Sequence, residues 1–236
     1  ISMLAICGSL GFIVITDFGL WLKNKAHKLS FTTRIVIWGS LLLLSFGFVF
    51  FYFFEPTVSS LSGNDRVLGA FFQSMTAMTT VGFNTVDFGA FVLPMLLVTT
   101  FLMYVGASPS GTAGGLKITT LTAVFAIMKS RLKGRKNITF LGKTIPFERL
   151  YIATSSFIFY TLLIALGTFL LTFSEDFEFE NMLFEVASAL GTVGLSTGIT
   201  GDLSSFGKGV IIILMFVGRL GVLTFGLAIW SKNITQ

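Results

Sequence analysis

Cysteine and histidine are almost absent from the sequence, at one residue each. Cys7 alone forms no internal disulfide and reports nothing about the redox compartment. His27 alone builds no histidine metal centre, and among Lys and Asn it reads as a solvated loop residue. Charge is scarce as well. Only 11% of residues are charged, against roughly 25% in a soluble domain. In its place the chain is 53% hydrophobic, with a mean hydropathy of +0.87 and several apolar runs near the length of a bilayer. The fold class that follows is all-α and integral to the membrane. The 28 Phe suit lipid-facing surfaces and packing between helices.

The net charge of +5 does not point to nucleic acid, because its distribution has another cause. Lys23, Lys25, His27, Lys28 and Arg34 lie between two apolar runs. Lys129, Arg131, Lys133, Arg135, Lys136, Lys143 and Arg149 lie between two others, and Lys232 lies near the end. The acidic residues collect in the alternate connections, Glu55 and Asp65 in one and Glu175, Asp176, Glu178 and Glu180 in the other. Basic connections stay cytoplasmic, so the alternation predicts a serpentine, multi-pass topology. No signal peptide is visible, and the chain opens on Ile1 inside an apolar run, which reads as a piece of a longer chain.

What the sequence does have is a repeat. Thr80-Val81-Gly82-Phe83-Asn84-Thr85 returns as Thr192-Val193-Gly194-Leu195-Ser196-Thr197, and the offset of 112 also carries Phe72 onto Phe184, Ala77 onto Ala189 and Gly106 onto Gly218. A repeat this long is a duplicated structural unit. In each copy a short apolar segment, 67–79 or 181–191, runs into T-V-G, with long apolar runs on either side. That is the layout of a pore loop: a half-helix enters the membrane and the chain returns as bare backbone. Such backbone survives at membrane depth only where protein buries it or where it lines an aqueous path. Backbone carbonyls arranged around one axis replace the hydration shell of a cation. Gly82 and Gly194 permit backbone angles that a side chain forbids. Thr80 and Thr192 add hydroxyls at the inner mouth, and the carbonyl ends of the half-helices favour a positive charge. One T-V-G arises by chance. Two at the same offset, each after a half-helix, point to an ion pathway rather than to a tight turn.

The remaining segments order themselves around these loops. Residues 34–54 and 150–173 are expected to be outward helices, the first ended by Glu55-Pro56. The run 93–128 is too long for one span and breaks at Gly106-Ala107-Ser108-Pro109-Ser110-Gly111-Thr112-Ala113-Gly114-Gly115. Each glycine there weakens a helix by about 1 kcal/mol relative to Ala. An irregular intramembrane loop is expected, with helices to Val105 and from Leu116. Its glycines and Lys117 invite a phosphate-loop reading, but the spacing does not fit G-x-x-x-x-G-K-[ST]. Residues 207–230 read as one inward helix, with Trp230 and Trp21 near inner ends. Within it Arg219 lies between Gly218 and Gly221, at a depth where a guanidinium must find acceptors. The offset sets it opposite Ala107, so it is expected to hold the carbonyls of 106–115 below the loops. Gly8 and Gly11 repeat the G-x-L-G of Gly218 and Gly221 and read as helix packing. Asp17 reads as interfacial, close to Lys23 and Lys25, and Glu185 as a filter support or a packing residue.

These residues together resemble the Ktr/Trk/HKT superfamily of cation transporters and channels, nearest to its bacterial Ktr branch of B-type membrane subunits. The resemblance is carried by Thr80–Phe83, Gly191–Leu195, the run Gly106 to Thr120 and Met215 to Gly221, and it extends along the whole chain. It implies helix–pore-loop–helix repeats around a pseudo-fourfold pore. Residues 1–34 then hold the closing helix of an earlier repeat and a cytoplasmic loop, 35–149 the third repeat and 150–236 the fourth. It implies a potassium filter made by Thr80, Val81, Gly82, Phe83, Thr192, Val193, Gly194 and Leu195. It implies a gate made by Gly106 to Gly115 with Lys117 and Arg219. The implied function is potassium uptake through a homodimer in the bacterial cell membrane, regulated by a cytoplasmic ring of nucleotide-binding subunits, with K+ as cargo and Na+ as an optional coupling ion. A sodium-permeable member of the same superfamily is the first alternative, and a membrane protein binding phosphate through 106–117 is a distant one. The chain is not expected to be an enzyme.

Overall fold

The structure, a computed structural model, describes residues 1–24 and 27–230, with the side chains of 223 and 228–230 excluded. Lys25 and Lys232, and the side chain of Trp230, therefore lie outside the described residues. The fold is all-α. In chain order it runs α1 (Ser2–Lys23), α2 (Phe31–Phe54), α3 (Pro56–Ser59), α4 (Gly63–Thr79), α5 (Leu93–Tyr104), β1 (Val105–Gly106), β2 (Leu116–Lys117), α6 (Ile118–Leu132), β3 (Thr139–Phe140), β4 (Lys143–Thr144), α7 (Phe147–Ser174), α8 (Phe179–Leu190), α9 (Ser205–Leu220) and α10 (Val222–Trp230). Two short 3-10 turns, Phe88–Ala90 and Ile199–Gly201, follow the two T-V-G loops. β1 pairs with β2 in parallel, and β3 with β4 as a hairpin.

Of these helices α1, α2 and α7 are long and apolar enough to cross a membrane. Their outer surfaces carry exposed Trp38, Leu42, Phe53, Leu162, Phe169 and Phe173. In water such a surface would be an interaction patch; in a bilayer it faces lipid. α4 and α8 are shielded instead. α4 packs on α1, α2 and α5, and α8 on α5, α7 and α9. Both half-helices bury polar groups, Gln73, Ser74 and Thr76 in one and Glu185 and Ser188 in the other. Burial of this kind is tolerated because protein surrounds it: the Ser74 hydroxyl, for example, donates to the Leu44 carbonyl at 2.8 Å.

The structure departs from the sequence reading at several boundaries. α4 starts at Gly63 rather than Val67, with Asp65 in its first turn where the helix dipole favours an anion. Glu55-Pro56 ends α2 as expected, but Pro56 also starts α3, capped by the Glu55 carboxylate on the Thr57 amide at 3.1 Å. Residues 207–230 are not one helix: the ladder stops at Gly221, where φ is 87° and ψ 125°. α1 has the same break at Gly11, with φ 75° and ψ 161°. The shared G-x-L-G thus marks a kink in both helices and is more than close packing. Among the described residues Asp17 does not pair with Lys23, and Lys25 lies outside them. The Asp17 carboxylate contacts His27 Nε2 at 2.8 Å and accepts from the Ser30 amide at 2.8 Å. His27 is correspondingly no free loop residue but the partner that ties the end of α1 to the start of α2.

Candidate functional site

The two T-V-G loops share one backbone signature. After α4, Thr80 adopts a left-handed conformation with φ 55°, and after α8 Thr192 does so with φ 51°. A β-branched residue in that region is strained, at a cost of about 1–3 kcal/mol. Each strained threonine is followed by the same hydrogen bond: Val81 N–H donates to the Thr76 carbonyl at 3.3 Å, and Val193 N–H to the Ser188 carbonyl at 2.9 Å. Gly82 and Gly194 then take φ of 78° and 90°. The strain is held in both copies at matching positions, so it is a property of the repeat. The loops also meet. A Cβ placed on Gly82 would collide with the Val193 carbonyl oxygen and lie 3.4 Å from the Gly194 Cα. Val193 and Leu195 are buried, while Phe83 and Gly194 are exposed.

Each descending limb is held by the residue at one matching position of its half-helix. Gln73 Nε2 donates to the Val86 carbonyl at 3.0 Å. Its counterpart at the 112 offset, Glu185, accepts from the Ser196 hydroxyl at 2.6 Å, the Thr197 amide at 3.0 Å and the Thr200 hydroxyl at 2.7 Å. Of the two roles open to Glu185, support of the segment that follows its T-V-G loop is the one these bonds describe. Glu185→Ala strips three donors of one buried acceptor. It is expected to cost on the order of 2–3 kcal/mol of stability, and Gln73→Ala, with one bond to lose, clearly less. Thermal denaturation of the two purified variants checks this; equal losses would contradict the tether.

The broken segment lies directly against these loops. Gly114 N–H donates to Thr80 Oγ1 at 2.9 Å, and a Cβ on Gly114 would collide with the Gly191 carbonyl and Thr192 Oγ1. The rest of the segment is pinned to α1. Ser108 N–H donates to the Ser9 carbonyl at 3.1 Å and Thr112 N–H to the Gly8 carbonyl at 3.0 Å. Gly11 is where the kinked α1 admits the backbone of Ser110 and Gly111, with no room for a Cβ. Lys117 Nζ donates to the Ala113 carbonyl at 2.6 Å, and Ile118 N–H to the Ala107 carbonyl at 3.1 Å. Gly106 and Leu116 take part in the β1–β2 pairing, while exposed Pro109 and half-buried Ser110 form the turn of the segment and Gly115 takes φ 69°.

Arg219 does not do what the sequence reading assigned to it. It lines a cavity of about 430 Å³ together with Gly111 to Lys117 and Thr192, but its side chain is exposed and donates to none of the carbonyls of 106–115. The helix carrying it ends one residue later and breaks at Gly221, which leaves the guanidinium on the cavity wall. The segment is held instead by the backbone carbonyls of Gly8 and Ser9 in α1, by the Thr80 hydroxyl and, from within, by Lys117 on the Ala113 carbonyl.

The arrangement is that of a multi-pass membrane protein built on duplicated re-entrant loops, with an irregular intramembrane segment packed beneath them. Residues 1–233 match the family described as TrkH, cation transport protein. The chain belongs to that family and is a protein of the cell membrane. It is 34% identical over 230 residues to the Ktr system potassium uptake protein B of Bacillus subtilis, covering 95% of this chain and 51% of that protein. It is 35% identical over 231 residues to the potassium/sodium uptake protein NtpJ of Enterococcus hirae, again 95% and 51%. Its fold matches the crystal structure of the potassium transporter TrkH from Vibrio parahaemolyticus with a TM-score of 0.77 at 21% identity, over 100% of this chain and 52% of that one. The chain spans about half the length of the relatives it matches.

Proposed function

We propose that this chain is half of a potassium-conducting pore, with the carbonyls of Thr80–Phe83 and Thr192–Leu195 forming two quadrants of its filter. The observation that carries the reading is the paired loop geometry: the same strained threonine, the same hydrogen bond and the same left-handed glycine in each copy, with Gly82 against Val193. A strained backbone held twice is best explained by what its oxygens bind. A ring of this kind needs four loops, so two further loops complete it. The segment 106–115 is the gate, because it is the irregular backbone touching both loops from one side. The homodimer and the nucleotide-binding ring enter as proposals on the resemblance, with the basic inner connections as docking surfaces.

The names of the relatives leave two cargoes open, potassium and potassium with sodium. Phosphate binding by 106–117 is disfavoured, since the amides of Ser108, Gly111, Thr112 and Gly114 are already spent on internal acceptors. The test is ion uptake by the full-length protein in cells lacking their own potassium uptake. Growth at low K+ supports the reading. Na+ uptake undiminished by K+ would favour the sodium-permeable alternative, and no ion uptake at all would contradict both.

A further inference from the structure

A second cavity, of about 450 Å³, opens between the start of α2, the first turns of α6, the β3–β4 hairpin and the start of α7. This is the side on which the basic connections lie. One wall is apolar, made by Phe31, Ile35, Ile145 and Ile152. Lys143 and Arg149 stand on its lining, both exposed, with Lys143 Nζ 5.7 Å from the centroid of the Phe31 ring. Neither has a carboxylate partner, although Glu148 adjoins Arg149: among the described residues the one ion pair is His27 with Asp17. The hairpin turn at Leu141 and Gly142, with φ of 47° and 76°, fixes Lys143 beside the start of α7.

Two uncompensated cations over an apolar wall, at the cytoplasmic edge of a bilayer, have the chemistry of an anionic headgroup above an acyl chain. A free phosphate would leave the wall uncovered, and a zwitterionic lipid would leave the net charge of the pair unmatched. We propose that an anionic glycerophospholipid binds in this cavity, its phosphodiester between Lys143 and Arg149 and its first acyl carbons along Phe31, Ile35, Ile145 and Ile152. Pro109 of the irregular segment and Thr120, which also lines the cavity beneath the loops, form its inner end. Binding here does not rest on the transport reading.

The experiment is native mass spectrometry of the full-length protein with phosphatidylglycerol and phosphatidylcholine in competition. A Lys143→Gln/Arg149→Gln double variant is run beside a Lys133→Gln/Arg135→Gln control from the same connection. Each cation near the surface contributes about fivefold, so the double variant is expected to lose about 30-fold in preference for phosphatidylglycerol. The control and a charge-conserving Lys143→Arg/Arg149→Lys variant are expected to keep that preference. The proposal is overturned if the double variant keeps the preference, if the control loses as much, or if the wild type retains both lipids equally. Protection of the wild type against heat by inorganic phosphate as strong as that by phosphatidylglycerol would also overturn it, since the apolar wall would then contribute nothing.

Discussion

Gly194→Ser is expected to cut potassium uptake or its preference over sodium by about tenfold in cells that depend on this protein for potassium. The figure follows from the backbone. At φ 90° an L side chain is strained, and a left-handed non-glycine costs roughly 1–2 kcal/mol. The strain is relieved by rotating the adjoining peptides, which turns the Val193 or Gly194 carbonyl off the line it needs. Space is not the obstacle, because the nearest atom to an added Cβ is the Gly82 Cα at 3.9 Å. The variant should therefore fold and reach the membrane in normal amounts, which separates a filter effect from loss of protein. Gly82→Ser is a poorer test, since its Cβ meets the Val193 carbonyl oxygen and the two loops must part to admit it. Unchanged uptake and unchanged selectivity in Gly194→Ser would refute the filter assignment.

Deleting Gly111 to Gly114 is expected to raise potassium flux severalfold. The deletion removes the bonds from Thr112 to Gly8 and from Gly114 to Thr80, and with them the contact of Gly114 against Gly191 and Thr192. It leaves the anchors from Ser108 to Ser9 and from Ile118 to Ala107 in place. The segment is thus shortened away from the loops without being cut loose from α1. Arg219→Ala, whose side chain donates no bond to this segment, is expected to change flux less than the deletion does. Flux that fell or stayed level in the deletion would show that the segment is not a barrier.

What could be read from the sequence followed from periodicity and composition. The 112 offset fixed both half-helices and both T-V-G loops to within a few residues, because apolar length and glycine placement are written in side chains. The glycine run 106–115 was legible as a break for the same reason. The kinks at Gly11 and Gly221 were not, since glycine permits a positive φ without requiring one, and both motifs also satisfy a packing reading. The anchors of the irregular segment were invisible for a deeper reason. Two of them are the backbone carbonyls of Gly8 and Ser9, which no side chain announces, and the third is the Thr80 hydroxyl, so Arg219, a conspicuous charge on the same cavity, invites a role that these groups fill. Asp17 and His27 lie ten residues apart across a chain reversal, a contact that helix spacing does not encode. The 112 offset pairs Glu185 with Gln73, yet their shared role emerges only when both are seen gripping the limb that follows their own loop.

The most direct measurement is anomalous diffraction from crystals of the full-length protein grown in rubidium, a potassium substitute whose position can be located without ambiguity. The account predicts a rubidium peak on the axis shared by the Thr80–Phe83 and Thr192–Leu195 loops, within coordination distance of their carbonyl oxygens. Rubidium bound elsewhere in the protein, with that position empty at saturating concentration, would contradict it.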